Sequence, residues 1–323
     1  MSKRAYHLLS GSIAGVLILL WLFTFPVQSQ TTLRRVPDND QSDRYALSIV
    51  LGLTDSLTDK VKIAIGSQLA DFDATVIDLD DQDLSSVVWP TSGQVIAVGY
   101  LGCQEAVTRV TYLDVHCVLL TEENFRHIGQ DEAASNMRVI SALVLDQPIE
   151  RQARVARQVY PALSRFSVLV DDSIRQTSQV DVELNFTLYK ADQALAPQLS
   201  EALSTTDALI AIPVSDVFNR STLRTVLLTA YGYGKPVIGL SQGYVKAGAL
   251  ITAYSTPTHV FRQIADRLRA SRSQQARRSH TPSIEYPYYF SVVSNTNVAR
   301  SLGLTRQFRF DLDATYVDGD FRL

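Results

Sequence analysis

Residues 207–254 read DALIAIPVSDVFNRSTLRTVLLTAYGYGKPVIGLSQGYVKAGALITAY. The segment opens with a short apolar run, 208–212, that ends at Pro213 and predicts a buried strand of a parallel sheet. After Ser221, apolar residues recur at the spacing of one buried helix face, at Leu223, Val226, Leu227, Ala230 and Tyr231. A second apolar run, 237–240, follows. The segment therefore predicts a strand, a helix and a second strand.

Polar side chains follow both of these predicted strands. Ser215 and Asp216 come after the first strand, and Ser241 and Gln242 come after the second. In open α/β sheets, ligands bind in the crevice outside the carboxyl ends of the strands. We therefore expect these four side chains to contact a ligand.

The same alternation of strands and helices recurs along the chain. Apolar runs predict strands at 45–51, 74–79, 94–98 and 115–120, then at 137–145, 166–170, 182–188 and 290–293. Strands that alternate with helices imply parallel sheets with right-handed connections. We predict an α/β fold made of two Rossmann-like lobes, each built around a parallel sheet.

Several motifs in the second half occur in a characteristic order: DALIAIPVSDVF, GKPVIGLS, VKAGALITAYSTPTHVFRQIADRL and YYFSVVSNTNVARSLGL. Together they resemble the carboxy-terminal half of a periplasmic substrate-binding protein family of ABC transporters, whose better-known members take up aromatic amino acids. The similarity covers residues 139 to 304. It implies the periplasmic-binding-protein-like I fold, in which the chain crosses between the lobes three times and forms a hinge. The three crossings are expected near Leu145, Gly248 and Ser283.

This resemblance also implies a function. A small molecule, such as an amino acid or a similar metabolite, would bind between the lobes and close them. The closed protein would be presented to a membrane permease, with no cofactor and no catalysis. A sensor or accessory protein that uses the same cleft without a permease is an alternative.

We divide the chain on this basis. Residues 1–29 are an export signal or an amino-terminal anchor, and 30–43 a flexible leader. Lobe one is 44–145 plus 249–282, lobe two is 146–248 plus 283–305, and 306–323 form a tail. The tail alternates apolar and charged residues at Phe308, Phe310 and Leu312. This strand periodicity predicts either an edge strand on the protein's own sheet or a strand that binds a partner.

The predicted ligand site draws on both lobes. The resemblance places Asp216 where the family has an acidic residue facing the cleft, and its carboxylate could accept hydrogen bonds from a ligand ammonium group. Free amides at helix starts favour anions, so the loops at 100–103 and 215–220 could hold a ligand carboxylate. The predicted ligand-binding residues are Tyr100, Leu101, Gly102, Thr121, Asp146, Ser215, Asp216, Ser241 and Gln242.

The amino terminus predicts export. Lys3 and Arg4 precede an apolar core at 8–25, and Val27-Gln28-Ser29 is a small-residue cleavage pattern. The core is also close to the length that spans a bilayer, so an uncleaved inner-membrane anchor is the alternative. In both cases we expect the body in the periplasm, as a monomer.

The two cysteines leave one question open. Cys103 and Cys117 could pair in an oxidising compartment. The alternative is two small, buried, unpaired residues on neighbouring elements.

Composition and motifs exclude several classes of function. The chain is 46% hydrophobic and 20% charged with a net charge of −3, and it has no basic block of the kind that binds nucleic acid. Its five histidines show no metal-ligand spacing. No phosphate-loop or dinucleotide motif is present, so we predict no metal and no nucleotide cofactor.

One motif favours an enzyme. Residues 239–243, GLSQG, match the nucleophile elbow of serine hydrolases, with Ser241 as nucleophile and Asp266 and His280 as the acid and base in the expected order. An elbow must lead directly into a helix, however, and 246–249 predict a crossover between lobes. The hydrolase is therefore only an alternative to the binding protein.

Overall fold

The structure is a computed structural model, and it describes residues 46–53, 55–80, 83–132, 140–171, 182–273, 283–308 and 314–317. The predicted export signal, the predicted leader, the start of the strand at 137 and His280 lie outside the described residues. So do Phe310 and Leu312 of the tail. Within the described ranges, no helix combines the length and apolar character needed to span a bilayer.

The secondary structure alternates between strands and helices, as predicted. In chain order the elements are β1 (Leu47–Leu51), α1 (Asp55–Gln68), β2 (Ala74–Asp78), β3 (Gln94–Val98), α2 (Gly99–Arg109), β4 (Val115–Val118), α3 (Glu122–Glu132), β5 (Ile140–Leu143), α4 (Ile149–Val159), β6 (Arg165–Val170), β7 (Glu183–Leu188), α5 (Leu195–Ser204), β8 (Ala208–Ile210), α6 (Leu223–Gly232), β9 (Val237–Ile238), α7 (Gln242–Ala247), β10 (Ile251–Tyr254), α8 (Pro257–Ser273), β11 (Ile284–Glu285), β12 (Tyr289–Ser294), α9 (Thr296–Ser301) and β13 (Tyr316–Val317).

The strands form two separate sheets. The six-stranded sheet has the order β11-β5-β4-β3-β1-β2, and all its pairings are parallel. The seven-stranded sheet has the order β13-β12-β10-β9-β8-β6-β7. It is parallel except at β12, which runs antiparallel to both β10 and β13. The predicted α/β fold with two parallel-sheet lobes is thus observed.

Lobe one is covered by helices on both faces of its sheet. All five residues of β1 are buried, and successive residues of a strand point to opposite faces. Ile49 packs on the side of α1 and α8, whereas Val50 packs on the side of α2 and α3. Burial on both faces explains why β1 reads as a continuous apolar run rather than an alternating one.

A chain of polar contacts fixes α8 and β11 onto this sheet. In it, His116 Nδ1 lies 2.6 Å from Ser141 Oγ, His116 Nε2 lies 3.2 Å from Arg267 Nη1, and Arg267 pairs with Glu285 at 2.8 Å. Burial, and secondarily the charge of Arg267, lowers the pKa of His116 to about 3. The imidazole is therefore neutral at pH 7, and Nε2 accepts a hydrogen bond from the guanidinium.

Within the described residues, the chain passes between the two sheets in three crossing segments, 144–148, 255–256 and 286–288. The predicted positions near Gly248 and Ser283 are wrong by several residues. Strand β10 follows Gly248 and pairs with β9 and β12, so it stays in the seven-stranded sheet. Strand β11 follows Ser283 and pairs with β5 in the six-stranded sheet. The crossings occur only where these strands end.

Hydrogen bonds join the crossing segments to one another. Gln147 Nε2 donates to Ser255 Oγ at 3.0 Å, and Ser255 Oγ donates to the carbonyl oxygen of Tyr289 at 2.6 Å. Arg151, only 3% exposed, donates to Gln147 Oε1 and to the carbonyl oxygen of Pro287, both at 2.7 Å. All three segments therefore belong to one polar network.

The tail forms an edge strand on the protein's own sheet. Strand β13 pairs with β12 through Phe290 with Tyr316 and Tyr289 with Val317. Of the two predicted alternatives, the structure shows an edge strand at 316–317, whereas Phe308 is not in a strand and Phe310 and Leu312 lie outside the described residues.

The two cysteines form a disulfide. Cys103 of α2 and Cys117 of β4 have their Cα atoms 5.4 Å apart, and both residues are fully buried. The alternative of two unpaired residues is therefore wrong, although they do lie on neighbouring elements. The bond joins the second turn of α2 to β4, the strand beside it.

Removal of this disulfide should destabilise the protein. The cysteines are 14 residues apart, and a loop of that size corresponds to about 3 kcal/mol of unfolding free energy. We expect the double variant Cys103→Ala/Cys117→Ala to have an unfolding free energy lower by that amount, measured by urea unfolding at pH 7. Gln104→Ala, an exposed change on the same helix, is the control and should change stability by under about 0.5 kcal/mol. A double variant as stable as the wild type would show that no bond joins the sulfurs.

Candidate functional site

A pocket of about 540 Å³ lies at the carboxyl edge of the six-stranded sheet. Its walls come from the ends of four strands and from the first turns of the helices that follow. The lining residues are Gly52, Leu53, Asp80, Gly99, Tyr100, Leu101, Leu119, Leu120 and Asn124. The rule that ligands bind at the carboxyl ends of parallel strands therefore matches the position of this pocket.

One wall of the pocket is formed where the end of β1 touches the first turn of α2. A Cβ atom on Gly52 would lie 2.2 Å from the amide nitrogen of Gly102, so only glycine allows this approach. Gly99 has φ +77 and would place a Cβ 2.6 Å from the carbonyl oxygen of Gly52. These glycines bring the amino terminus of α2 to the pocket wall.

The first turn of α2 presents both amides and side chains. Val98 precedes it in an extended conformation, contributes no side-chain cap, and no acidic residue lies in the turn. Amides at a helix start can bind an anion such as a carboxylate. The side chains of Tyr100 and Leu101 are 43% and 39% exposed, and both residues line the pocket.

Leu119 lines the pocket in a strained conformation. It has φ 58, in the left-handed region that disfavours residues with a Cβ atom. It is nevertheless 5% exposed and packs in the core of lobe one. Such outliers persist only where the surrounding structure holds them, and they cluster at functional sites.

Two of the predicted ligand-binding residues stabilise the start of α3. Thr121 Oγ1 accepts a hydrogen bond from the amide of Asn124 at 3.2 Å. Asp146 Oδ2, in the first crossing segment, accepts one from the amide of Glu122 at 2.8 Å. Burial raises the pKa of Asp146 to about 6, and the nearby charges of Glu122 and Glu123 act in the same direction.

The predicted residues of lobe two lie at the carboxyl ends of β8 and β9. Ser215 and Asp216 follow β8, Ser241 and Gln242 begin α7, and all four are exposed. Ser215 Oγ donates a hydrogen bond of 2.5 Å to Glu123 Oε1 of lobe one. Glu123 is adjacent to Asn124, which lines the pocket. The bond brings Ser215 next to α3, but Ser215, Asp216, Ser241 and Gln242 are not among the residues that line the pocket.

The prediction did not include most of the residues that line the pocket, namely Gly52, Leu53, Asp80, Gly99, Leu119, Leu120 and Asn124. Asp80 follows the predicted second strand, so the strand-end rule that selected Ser215 could have selected it too. Asn124 carried no comparable signal, because it lies inside a helix and reaches the pocket only through the placement of α3. Among the residues that the structure describes, no group of three His, Cys, Asp or Glu side chains could hold a metal ion.

Residues 239–243, which match the nucleophile-elbow motif, lead into a helix and not into a crossover between the lobes. Ser241 leads directly into α7, so the predicted crossover at 246–249 is wrong. The elbow of a hydrolase is a sharp, strained turn, whereas Ser241 has extended backbone with φ −156 and ψ 169. Asp266, the proposed acid, accepts a hydrogen bond from Tyr289 at 2.7 Å and pairs with Arg269.

Comparisons with known proteins concern the fold. No family model matches the sequence, and no curated protein matches it either. Among solved structures, the chain is similar to a substrate-binding protein with adhesive properties from Clostridium difficile in its ligand-free, open form. The identity is 11% and the TM-score 0.55, over 81% of this chain and 96% of that one. The chain has the fold of the type I periplasmic binding proteins.

A second similar structure carries a ligand. It is an ABC domain in complex with L-Trp from Streptococcus pneumonia, with 13% identity and a TM-score of 0.47, over 81% of this chain and 95% of that one. A conserved domain protein from Vibrio cholerae has 11% identity and the same TM-score, over 82% and 96% of the two chains.

The raised pKa of Asp146 predicts a pH effect. Between about pH 4 and pH 6 the folded state holds a proton that the unfolded state has released, so this group makes the wild type less stable as the pH rises. Asp146→Asn stays neutral and keeps an acceptor for the Glu122 amide. We expect its stability relative to the wild type to increase by roughly 2–3 kcal/mol from pH 4 to pH 7.

Urea unfolding at several pH values measures this difference. Asp192→Asn, which removes an exposed carboxylate, is the control for the loss of one negative charge. A pH-independent difference between Asp146→Asn and the wild type would show that the Asp146 carboxyl has an ordinary pKa.

Proposed function

We propose that this protein is an extracytoplasmic solute-binding protein that closes on a small molecule between its two lobes. The observation that supports this most directly is the hydrogen bond between Ser215 and Glu123, which joins the carboxyl edges of the two sheets beside the pocket. A molecule in the pocket would lie against lobe one and meet lobe two at Ser215 and Asp216. Contacts with both lobes favour the conformation in which the lobes are close.

The chemistry of the pocket favours a small zwitterion such as an amino acid. The amides of α2 at Tyr100 and Leu101 suit a carboxylate, whereas the amide nitrogen of Gly102 lies against Gly52 and Gly102 does not line the pocket. Asp216 and the pocket residue Asp80 suit an ammonium group. Tyr100 and Leu101 offer apolar surface to a side chain. Ser241 and Gln242 would add contacts from lobe two, whereas Thr121 and Asp146 would act by holding α3 in place.

The disulfide supports a location outside the cytoplasm. Disulfides persist in oxidising compartments such as the periplasm and are rare in the cytosol. The Cys103–Cys117 bond is therefore consistent with the predicted export signal. In the periplasm, the closed protein would deliver its ligand to the permease of an ABC-type importer.

A thermal-shift screen of amino acids, short peptides and small metabolites tests binding. A ligand present at 100 times its dissociation constant stabilises the folded state by about 2.7 kcal/mol. For a domain of this size that is a rise of about 5–10 °C in the unfolding temperature. We expect such a rise with at least one zwitterionic compound.

Matched variants then locate the site. Tyr100→Ala and Asp216→Asn should each weaken the shift produced by the same compound. Tyr112→Ala removes a tyrosine that is 94% exposed and does not line the pocket, and it should leave the shift unchanged. A compound whose effect is equal in all three variants binds elsewhere, and a screen without any stabilising compound counts against the proposal.

A further inference from the structure

Residues 314–317, here named the strap, pack against lobe two. Beyond the pairing of β13 with β12, Ser291 Oγ donates a hydrogen bond of 2.9 Å to the carbonyl oxygen of Ala314. The rings of Phe290 and Tyr316 lie 6.0 Å apart. Phe290 is 1% exposed and belongs to the core of lobe two. The strap is therefore expected to move with lobe two.

The strap also contacts a histidine of α8. His259 is 6% exposed, and its Nε2 lies 3.0 Å from Thr315 Oγ1. Its Nδ1 accepts a hydrogen bond from the amide of Thr256 at 3.3 Å. Burial, followed by the charge of Arg262, lowers the pKa of His259 to about 4, so the ring is neutral at pH 7. With Nδ1 as acceptor, the ring proton is on Nε2 and is donated to Thr315.

The helix that carries His259 is fastened to lobe one. Val260 and Phe261, the next two residues, are fully buried in the core of the six-stranded sheet. The second crossing segment, 255–256, directly precedes α8. The contact between His259 and Thr315 thus joins an element of lobe one to an element of lobe two beside a crossing segment.

We propose that the strap is a further connection between the lobes, which restrains the hinge through the hydrogen bond between Thr315 and His259. The inference rests on the hinge movement of the proposed function. A rotation of the lobes about the crossing segments changes the position of Thr315 relative to His259, and a hydrogen bond is lost when its atoms separate beyond about 3.5 Å. The strap therefore stabilises the conformation in which Ser215 and Glu123 are in contact.

Distances between spin labels in the ligand-free protein test the strap. Labels on Lys60→Cys of α1 and Glu201→Cys of α5, both exposed positions, report the separation of the lobes. The two native cysteines are bonded to each other and buried, so they do not take up label. In this background, Thr315→Val removes the hydroxyl and keeps the shape of the side chain.

The expected result is a larger population with widely separated labels. Loss of one hydrogen bond of about 1 kcal/mol corresponds to a change of about fivefold in the ratio of the two populations. A truncation after Phe308, which removes the strap, should have at least this effect. Thr305→Val, at an exposed threonine upstream of the strap, is the control and should give the wild-type distribution.

A Thr315→Val distribution identical to that of the wild type overturns the proposal. If the truncated chain does not fold, as judged by circular dichroism, the Thr315→Val distribution alone decides whether the strap restrains the hinge. The labels report on the ligand-free protein, so a failed ligand screen would count against the proposed function without changing this result.

Discussion

The polar network of the three crossing segments is the constraint on which the rest of the structure depends. Arg151 is buried, and its guanidinium depends on the acceptors it reaches, because removal of the partners of a buried charge is strongly destabilising. It donates to Gln147 of the first segment and to Pro287 of the third, and Gln147 donates to Ser255 of the second. Each segment therefore holds the other two in place, and the orientation of the two sheets follows from all three together.

The pocket follows from the ends of the strands. The glycines at 52, 99 and 102 bring β1 and α2 together by backbone contact, and the disulfide fixes α2 to β4 one residue beyond Gly102. Leu119 completes the wall in a conformation that only a well-packed surrounding maintains. Lobe one thus supplies all the residues that line the pocket, and in the proposed function lobe two would add a few polar groups when the lobes close. This division suits a protein in which lobe one binds the ligand first and lobe two then closes over it.

Much of the fold was predictable from the sequence because the signals are local. Runs such as Leu47–Leu51 and Ala208–Ile210 are buried on both faces and read as continuous apolar segments. The crossing points were not predictable in the same way. Gly248 ends a short helix and has φ +128, so the chain changes direction there as it would at a crossing between lobes. The strand that follows, β10, nevertheless pairs with β9 and β12 in the same sheet. Strand pairing is a non-local property and leaves no signature in Gly248 itself.

The site was predictable only in part, because it also depends on contacts between residues that are distant in the sequence. Tyr100 and Leu101 follow a predicted strand, and both line the pocket. Asp146 also follows a predicted strand, but its carboxylate is turned toward the amide of Glu122 because the first crossing segment passes the start of α3. The pairing of Cys103 with Cys117 likewise depends on the packing of α2 against β4, which spacing along the chain does not determine.

The central claim is that the two lobes close on a ligand about the crossing segments. Small-angle X-ray scattering of the purified protein, with and without a compound that stabilises it against heat, tests this claim most directly. The account predicts a smaller radius of gyration and a shorter maximum dimension when the compound is bound. Identical scattering curves at a saturating concentration of such a compound would contradict it.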